Sequence, residues 1–199
     1  TNNVYIVTVL IDDGAADDAN GATTLTITVA DVNDITPVYA ATSTTPTVTE
    51  GATAVDSNVA ITDADTGDAN SCNLGGADSG LFTCTLTGQT AYSLAFTNAP
   101  DFETPNSAAS SNQYAVTVTI NDGTNNGATI TYTVTVGDAN DQTPVYQAAD
   151  ADDAITVNEN VGTGSIDAGT ITDTDTVGTY GCTLGGADAA DFACSISGS

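Results

Sequence analysis

Almost every side chain here that could do chemistry is a carboxylate. The 199 residues include 26 Asp and Glu and no Lys, Arg or His, for a formal charge of −26. The acids gather in short motifs. These are Asp31-Val-Asn33-Asp34, Thr49-Glu50-Gly51, Asp63-Ala-Asp65, Asp101-Phe-Glu103 and Asn121-Asp122-Gly123, followed by Asp138-Ala-Asn140-Asp141 and Asp173-Thr-Asp175. No cationic side chain exists to pair with them. Two carboxylates about 4 Å apart repel by roughly 1 kcal/mol in water and roughly 4 kcal/mol at an effective dielectric of 20. Clustered acids in a compact fold therefore need cations from outside. The hard oxygens on offer suit calcium, which takes six to eight of them, better than magnesium, which keeps several waters. With no His and four Cys, an ordinary zinc or copper site is excluded.

The same composition closes off other chemistry. Without His or Lys, no Ser–His, Cys–His or Lys-based nucleophile can be assembled. A carboxylate pair of the glycosidase kind is the one catalytic arrangement left. Its candidates, Asp101 and Glu103, already belong to an acidic motif, so the chain reads as a non-enzyme. Nucleic-acid binding, which leans on Lys and Arg contacts to phosphate, is excluded, and an anionic membrane surface would repel the chain. No run of 18 apolar residues is present to span a membrane.

Four cysteines form two pairs with eleven residues between partners, Cys72 with Cys84 and Cys182 with Cys194. Each pair flanks the motif Leu-Gly-Gly-Ala-Asp, at 74–78 and 184–188. Cys72 alternates in phase with Leu74 and Cys84 with Phe82, which points both into the core of adjacent strands. The expectation is two disulfides, each worth about 3 kcal/mol in the chain-entropy model, with free buried thiols as the alternative. Disulfides place a chain outside the cytoplasm.

The motifs recur because the chain is a repeat. Asp31–Tyr39 returns at 138–146, a shift of 107 residues. Ile61–Asp65 returns at 171–175, shifted by 110, and Val4–Gly14 matches 113–123, shifted by 109. A unit of this length is the size of one immunoglobulin-like sandwich. Residues 114–120 and 130–136 alternate apolar and polar and are rich in β-branched residues, as strands are. Asn121–Gly127 between them is dense in turn formers. Shorter strands are expected at 46–49, 58–62, 71–74, 81–86 and 92–96. The fold class expected is all-β, with tandem Greek-key, seven-stranded β-sandwiches. Residues 1–34 would be the end of one repeat, 35–141 a complete repeat and 142–199 the start of a third, making the chain part of a longer protein. Asp56, Asp68, Asp78 and Asp167 read as turn formers.

These motifs, in this order and with Pro37 and Pro144 after the linkers, resemble the cadherin repeat, and specifically the bacterial cadherin-like tandem repeats. The resemblance implies calcium bound between consecutive sandwiches. The second junction would draw on Glu50, Asp101, Glu103, Asp138, Asn140, Asp141, Asp173 and Asp175. Its seven carboxylates would be nearly neutralised by about three Ca²⁺. The first would draw on Asp31, Asn33, Asp34, Asp63, Asp65 and Asp122, and Asp13 and Glu159 would serve junctions further out. The family usually places a second Asn where this chain has Ile35 and Gln142. That position contributes a main-chain carbonyl, so the change is expected to be tolerated.

The implied function is an extracellular rod or fibre, adhesive or structural, stiffened by calcium at each junction. Its partners would be calcium, neighbouring repeats of the chain, and further copies or a surface ligand. A carbohydrate- or ice-binding module is the alternative, suggested by threonine rows at 24–28, 117–119 and 131–135.

Overall fold

The computed structural model describes residues 3–11, 14, 22–67, 69–148, 155–159 and 166–197. It is all-β. Twelve strands appear among these residues: β1 (Val4–Val9), β2 (Thr23–Thr28), β3 (Val38–Tyr39), β4 (Thr47–Thr49), β5 (Ala54–Thr62), β6 (Ser71–Gly75), β7 (Phe82–Thr87), β8 (Ala91–Phe96), β9 (Gln113–Asn121), β10 (Ile130–Gly137), β11 (Val145–Ala148) and β12 (Gly169–Thr172). No helix among the described residues is long and apolar enough to cross a membrane.

β3 to β10 form two four-stranded sheets in the orders β3-β5-β8-β7 and β4-β10-β9-β6. The chain crosses between sheets after β3, β4, β5, β6 and β8, which is Greek-key wiring. The expected strand at 46–49 is β4, which pairs parallel with β10; β3, outside the seven expected strands, pairs antiparallel with β5 in the other sheet, so the sandwich's first strand is split. The alternation read from sequence is the core. Tyr114, Val116, Val118 and Ile120 on β9 and Tyr132, Val134 and Val136 on β10 are at most 1% exposed. Phe82, Leu94, Phe96 and Val59 meet them from the other sheet. Phe82 and Phe96 stack at 4.4 Å, with Tyr114 edge-on to Phe96 at 5.2 Å.

Repetition holds in three dimensions as well. β1 and β2 pair with Tyr5 opposite Ile27 and Val7 opposite Leu25, as β9 and β10 pair Tyr114 with Val134 and Val116 with Tyr132. β11 and β12 pair as β3 does with the end of β5.

Both expected disulfides are formed, Cys72–Cys84 and Cys182–Cys194. Cys72 lies on β6 and Cys84 on β7, strands consecutive in sequence but in opposite sheets. The bridge therefore pins the two layers to each other and does not join neighbours within one.

Two acids expected to make turns are buried and hydrogen-bonded across the fold, Asp56 from within β5 and Asp78 from the turn before β7. Asp56 is buried, and its Oδ2 accepts from the Tyr132 hydroxyl at 2.9 Å and the Thr42 N–H at 3.0 Å. The Tyr132 hydroxyl also lies 2.9 Å from that of Tyr92. A bulge in β5 turns Asp56 inward: pairing with β8 slips on both sides of it, and Asn58 takes a φ of 55°. This bulge also breaks the alternation before residue 58, so β5 begins four residues earlier than expected. Asp78 is likewise buried, and its carboxylate accepts from the N–H groups of Ala108 and Ala115, both at 2.6 Å. Asp167 is exposed and takes a hydrogen bond from the Tyr146 hydroxyl at 3.3 Å. Asp68 lies outside the described residues.

Candidate metal centres

The second acidic centre lies where β4, the 101–103 loop and the segment after β10 meet. Glu50, just past β4, is buried and acts as a clamp. Its Oε2 accepts from the Phe102 N–H and its Oε1 from the Ala139 N–H, each at 2.7 Å. Its own N–H donates to the Gly137 carbonyl at 2.9 Å. One side chain thereby fixes the loop carrying Glu103 and the linker carrying Asp138 and Asp141.

Carboxylate oxygens of Glu50, Glu103 and Asp138 lie within 4.8 Å of one another, as do those of Glu103, Asp141 and Asp175. Two oxygens that far apart or closer can both sit about 2.4 Å from one calcium ion. Glu103 belongs to both groups, and neither of its oxygens, both buried, has a hydrogen-bond partner. Asp138 Oδ1 and Asp175 Oδ1 are buried and unpartnered too. Burial lifts the Glu103 carboxyl above its ordinary value of 4.5, and the charges of Glu50, Asp138 and Asp175 add to the lift. Unpartnered buried acceptors are costly. Oxygens of like charge converging in a chain with no cationic side chain form groups that could hold a divalent metal ion.

The remaining oxygens of this centre hold the linker in place. Gln142 donates its N–H to Asp175 Oδ2 at 2.8 Å and its side-chain amide to Asp141 Oδ1 at 2.7 Å. Asp175 donates its N–H to Asp173 Oδ1 at 3.2 Å, and both the N–H and hydroxyl of Thr176 donate to Asp138 Oδ2. Asp101 and Asp173 do not join the two groups of close oxygens. Asp101 is exposed and accepts from the Thr104 N–H at 2.9 Å; hydrogen bonds from Thr104 hold its carboxyl below its ordinary value. Asn140 is exposed, with its amide against Gly178.

The first centre repeats this wiring. Asp65 Oδ2 accepts from the N–H groups of Asp34 and Ile35 at 2.8 and 2.7 Å, as Asp175 does from Gln142. Asp65 donates its N–H to Asp63 Oδ1 at 3.1 Å. Asp31 Oδ2 accepts from both the N–H and hydroxyl of Thr66 at 2.7 Å, as Asp138 does from Thr176, and these bonds lower the Asp31 pKa. Ile35 and Gln142 thus each donate a main-chain N–H to the second carboxylate of the Asp-x-Asp motif, and Gln142 adds its side-chain amide to Asp141. Asp122 is 2% exposed, and Asp63 Oδ2 and Asp122 Oδ2 are buried without partners. Burial pushes the Asp122 pKa up, but hydrogen bonds from Asn125, Thr124 and Asn33 outweigh it and leave it lowered. No three carboxylates of described residues close to 4.8 Å here. Of the outer positions, Glu159 is exposed in a turn and Asp13 lies outside the described residues.

Sequence reading missed Thr66 and Thr176. The signal was present, since a threonine follows each Asp-x-Asp motif at the same repeat position. It also missed Asn125, whose neighbours 90 and 92 residues away are a property of the fold alone.

No protein-family model and no curated protein matches the chain. Among solved structures, 88% of it aligns with the protocadherin gammaB7 EC3-6 cis-dimer structure, at 26% identity and a TM-score of 0.55. The same share aligns with human CDH23 EC21-23, at 25% identity and a TM-score of 0.55. The chain spans 40% and 55% of those two chains. With the Greek-key sandwich, its split first strand and acidic centres at its ends, this likeness identifies the architecture: the β3–β10 sandwich has a cadherin-like fold.

Proposed function

We propose that the chain is a calcium-stiffened segment of an extracellular rod or fibre, serving adhesion or the projection of an adhesive tip. Its repeats would meet at 34/35 and 141/142. The observation that carries this reading is the Glu103 carboxylate, buried with neither oxygen partnered and shared between two groups of acids. In this reading Ca²⁺ is held at the second junction by Glu50, Glu103, Asp138, Asp141 and Asp175, with Asp101, Asn140, Asp173 and the Gln142 carbonyl completing the set. At the first it is held by Asp31, Asn33, Asp34, the Ile35 carbonyl, Asp63, Asp65 and Asp122. The ion supplies the charge compensation that no side chain provides. Bridging carboxylates from both sides of a linker, it removes the hinge. Two disulfides support an extracellular setting.

Threonines on the outward positions of β9 and β10, such as Thr117 opposite Thr131, carry no acid among them. That is the pattern of any half-buried strand, and it favours no carbohydrate or ice ligand. The test is a calcium titration of the whole chain by calorimetry, with small-angle scattering at each step. Several ions bound per junction, with a lengthening particle, is the expected result. A chain that neither takes up calcium nor changes shape would sink the reading.

A further inference from the structure

The loop after β9 places a hydrogen-bond donor where the first junction needs its oxygens free. Asn125 donates its side-chain Nδ2 to Asn33 Oδ1 at 3.1 Å and to the Ile35 carbonyl at 3.4 Å. Asn33 in turn donates its Nδ2 to the Asp122 carbonyl at 3.0 Å. The loop beneath is well tied. Asp122 Oδ1 accepts from the N–H groups of Thr124 and Asn125 at 2.7 and 2.6 Å, and Asn121 Nδ2 donates to the Asn125 carbonyl at 3.0 Å. A side-chain amide oxygen and a main-chain carbonyl are neutral hard oxygens of the kind calcium takes. They adjoin Asp122, whose Oδ2 is buried without a partner.

We propose that Asn125 is a clasp that stands in for calcium at this junction. Its N–H groups hold Asn33 Oδ1 and the Ile35 carbonyl while the metal is absent, and swing away when the ion takes those oxygens. The inference rests on the calcium reading of the junction and adds a chain-specific residue to it. Two consequences follow for the molecule. The linker stays docked on the loop at low calcium, and filling this position requires more calcium than its oxygens alone would set.

The experiment uses the full chain and its Asn125→Ala and Asn125→Ser variants, the second guarding against a loop that fails to form with Ala. Calcium chloride is titrated while the backbone amide resonances of Asn33, Asp34 and Ile35 are followed, and thermal melting is recorded in calcium-free buffer. Expected are a lower calcium-free melting temperature and a fall in half-saturating calcium at those amides. The fall should be roughly two- to tenfold, the size of one net hydrogen bond. A rise in half-saturating calcium would overturn the proposal by making Asn125 a ligand; no change in either quantity would overturn it by making the contact incidental. If calcium leaves the wild-type resonances unmoved while the variants still melt lower, the metal reading fails and the clasp is purely structural. That outcome also removes the competition.

Discussion

Glu103 shows how a single side chain can be legible in type and illegible in position. Glutamate is a poor turn former, so its place in the Asp101-Phe-Glu103 loop already marked it for coordination. Its partner in that motif does not follow: Asp101 faces solvent while Glu103 turns inward toward Glu50, Asp138 and Asp175. Motif spacing carries residue type, but the rotation of each carboxylate depends on a loop clamped by Glu50 from 52 residues away. Glu103→Gln separates the two roles. In calcium-free buffer it removes a charge facing three others, and the chain should melt higher than wild type. With calcium it deletes a ligand shared by two groups of acids, and affinity at that junction should fall by at least about tenfold, since even outer-sphere partners act in that range. Calorimetry and paired melting curves check both directions; unchanged calcium affinity would remove Glu103 from the centre.

At the scale of elements, alternation made β9 and β10 readable end to end, because each buries one face and shows the other to water. The two residues of β3 carry no periodicity, and the start of β5 is hidden by the bulge that turns Asp56 toward Tyr132, a partner 76 residues on. The Leu-Gly-Gly-Ala-Asp motif was visible as a repeat, but its purpose was not. Gly76 has a φ of +93°, and a Cβ there would stand 2.8 Å from the Ala115 carbonyl oxygen and 3.1 Å from the Val116 Cα. Two residues later Asp78 donates its N–H to that same carbonyl at 3.1 Å. The motif brings the turn between the two sheets against β9, beside the disulfide that crosses them. Gly76→Ala should therefore cost at least about 1–3 kcal/mol, from the positive φ alone, before the clash is counted. Gly80→Ala, with open space at its Cβ, is the control. Urea unfolding of both variants measures the difference, and equal midpoints would mean that β9 yields to the methyl group at little cost.

For the whole molecule, the decisive fact is that charge of one sign has been gathered at the ends of the sandwich, so stability must depend on what neutralises it. In the proposed reading protons and calcium are rivals for that role, and the carboxylates predict how. The Glu103 pKa is raised by burial and by its acidic neighbours. Its contribution is fully present below 4.5 and is lost as pH rises through the elevated folded value. The pKa values of Asp31 and Asp101 are lowered by hydrogen bonds from Thr66 and Thr104, and that of Asp122 by bonds that outweigh its burial. Their contributions are present above 3.8 and disappear as pH falls through the depressed folded values. Calcium-free protein should therefore melt highest in acidic buffer, between the depressed folded values of the three aspartates and the elevated folded value of Glu103. It should lose stability toward neutrality as repulsion builds. Saturating calcium binds the ionised carboxylates, so the same profile should instead rise toward neutral pH. Melting temperatures measured from pH 3 to 7, with and without calcium, would show two curves separating as pH increases. If the calcium-free curve climbed to neutrality alongside the other, the junction acids would not be in conflict, and a fold with this much negative charge would be holding together by its sandwich core and disulfides alone.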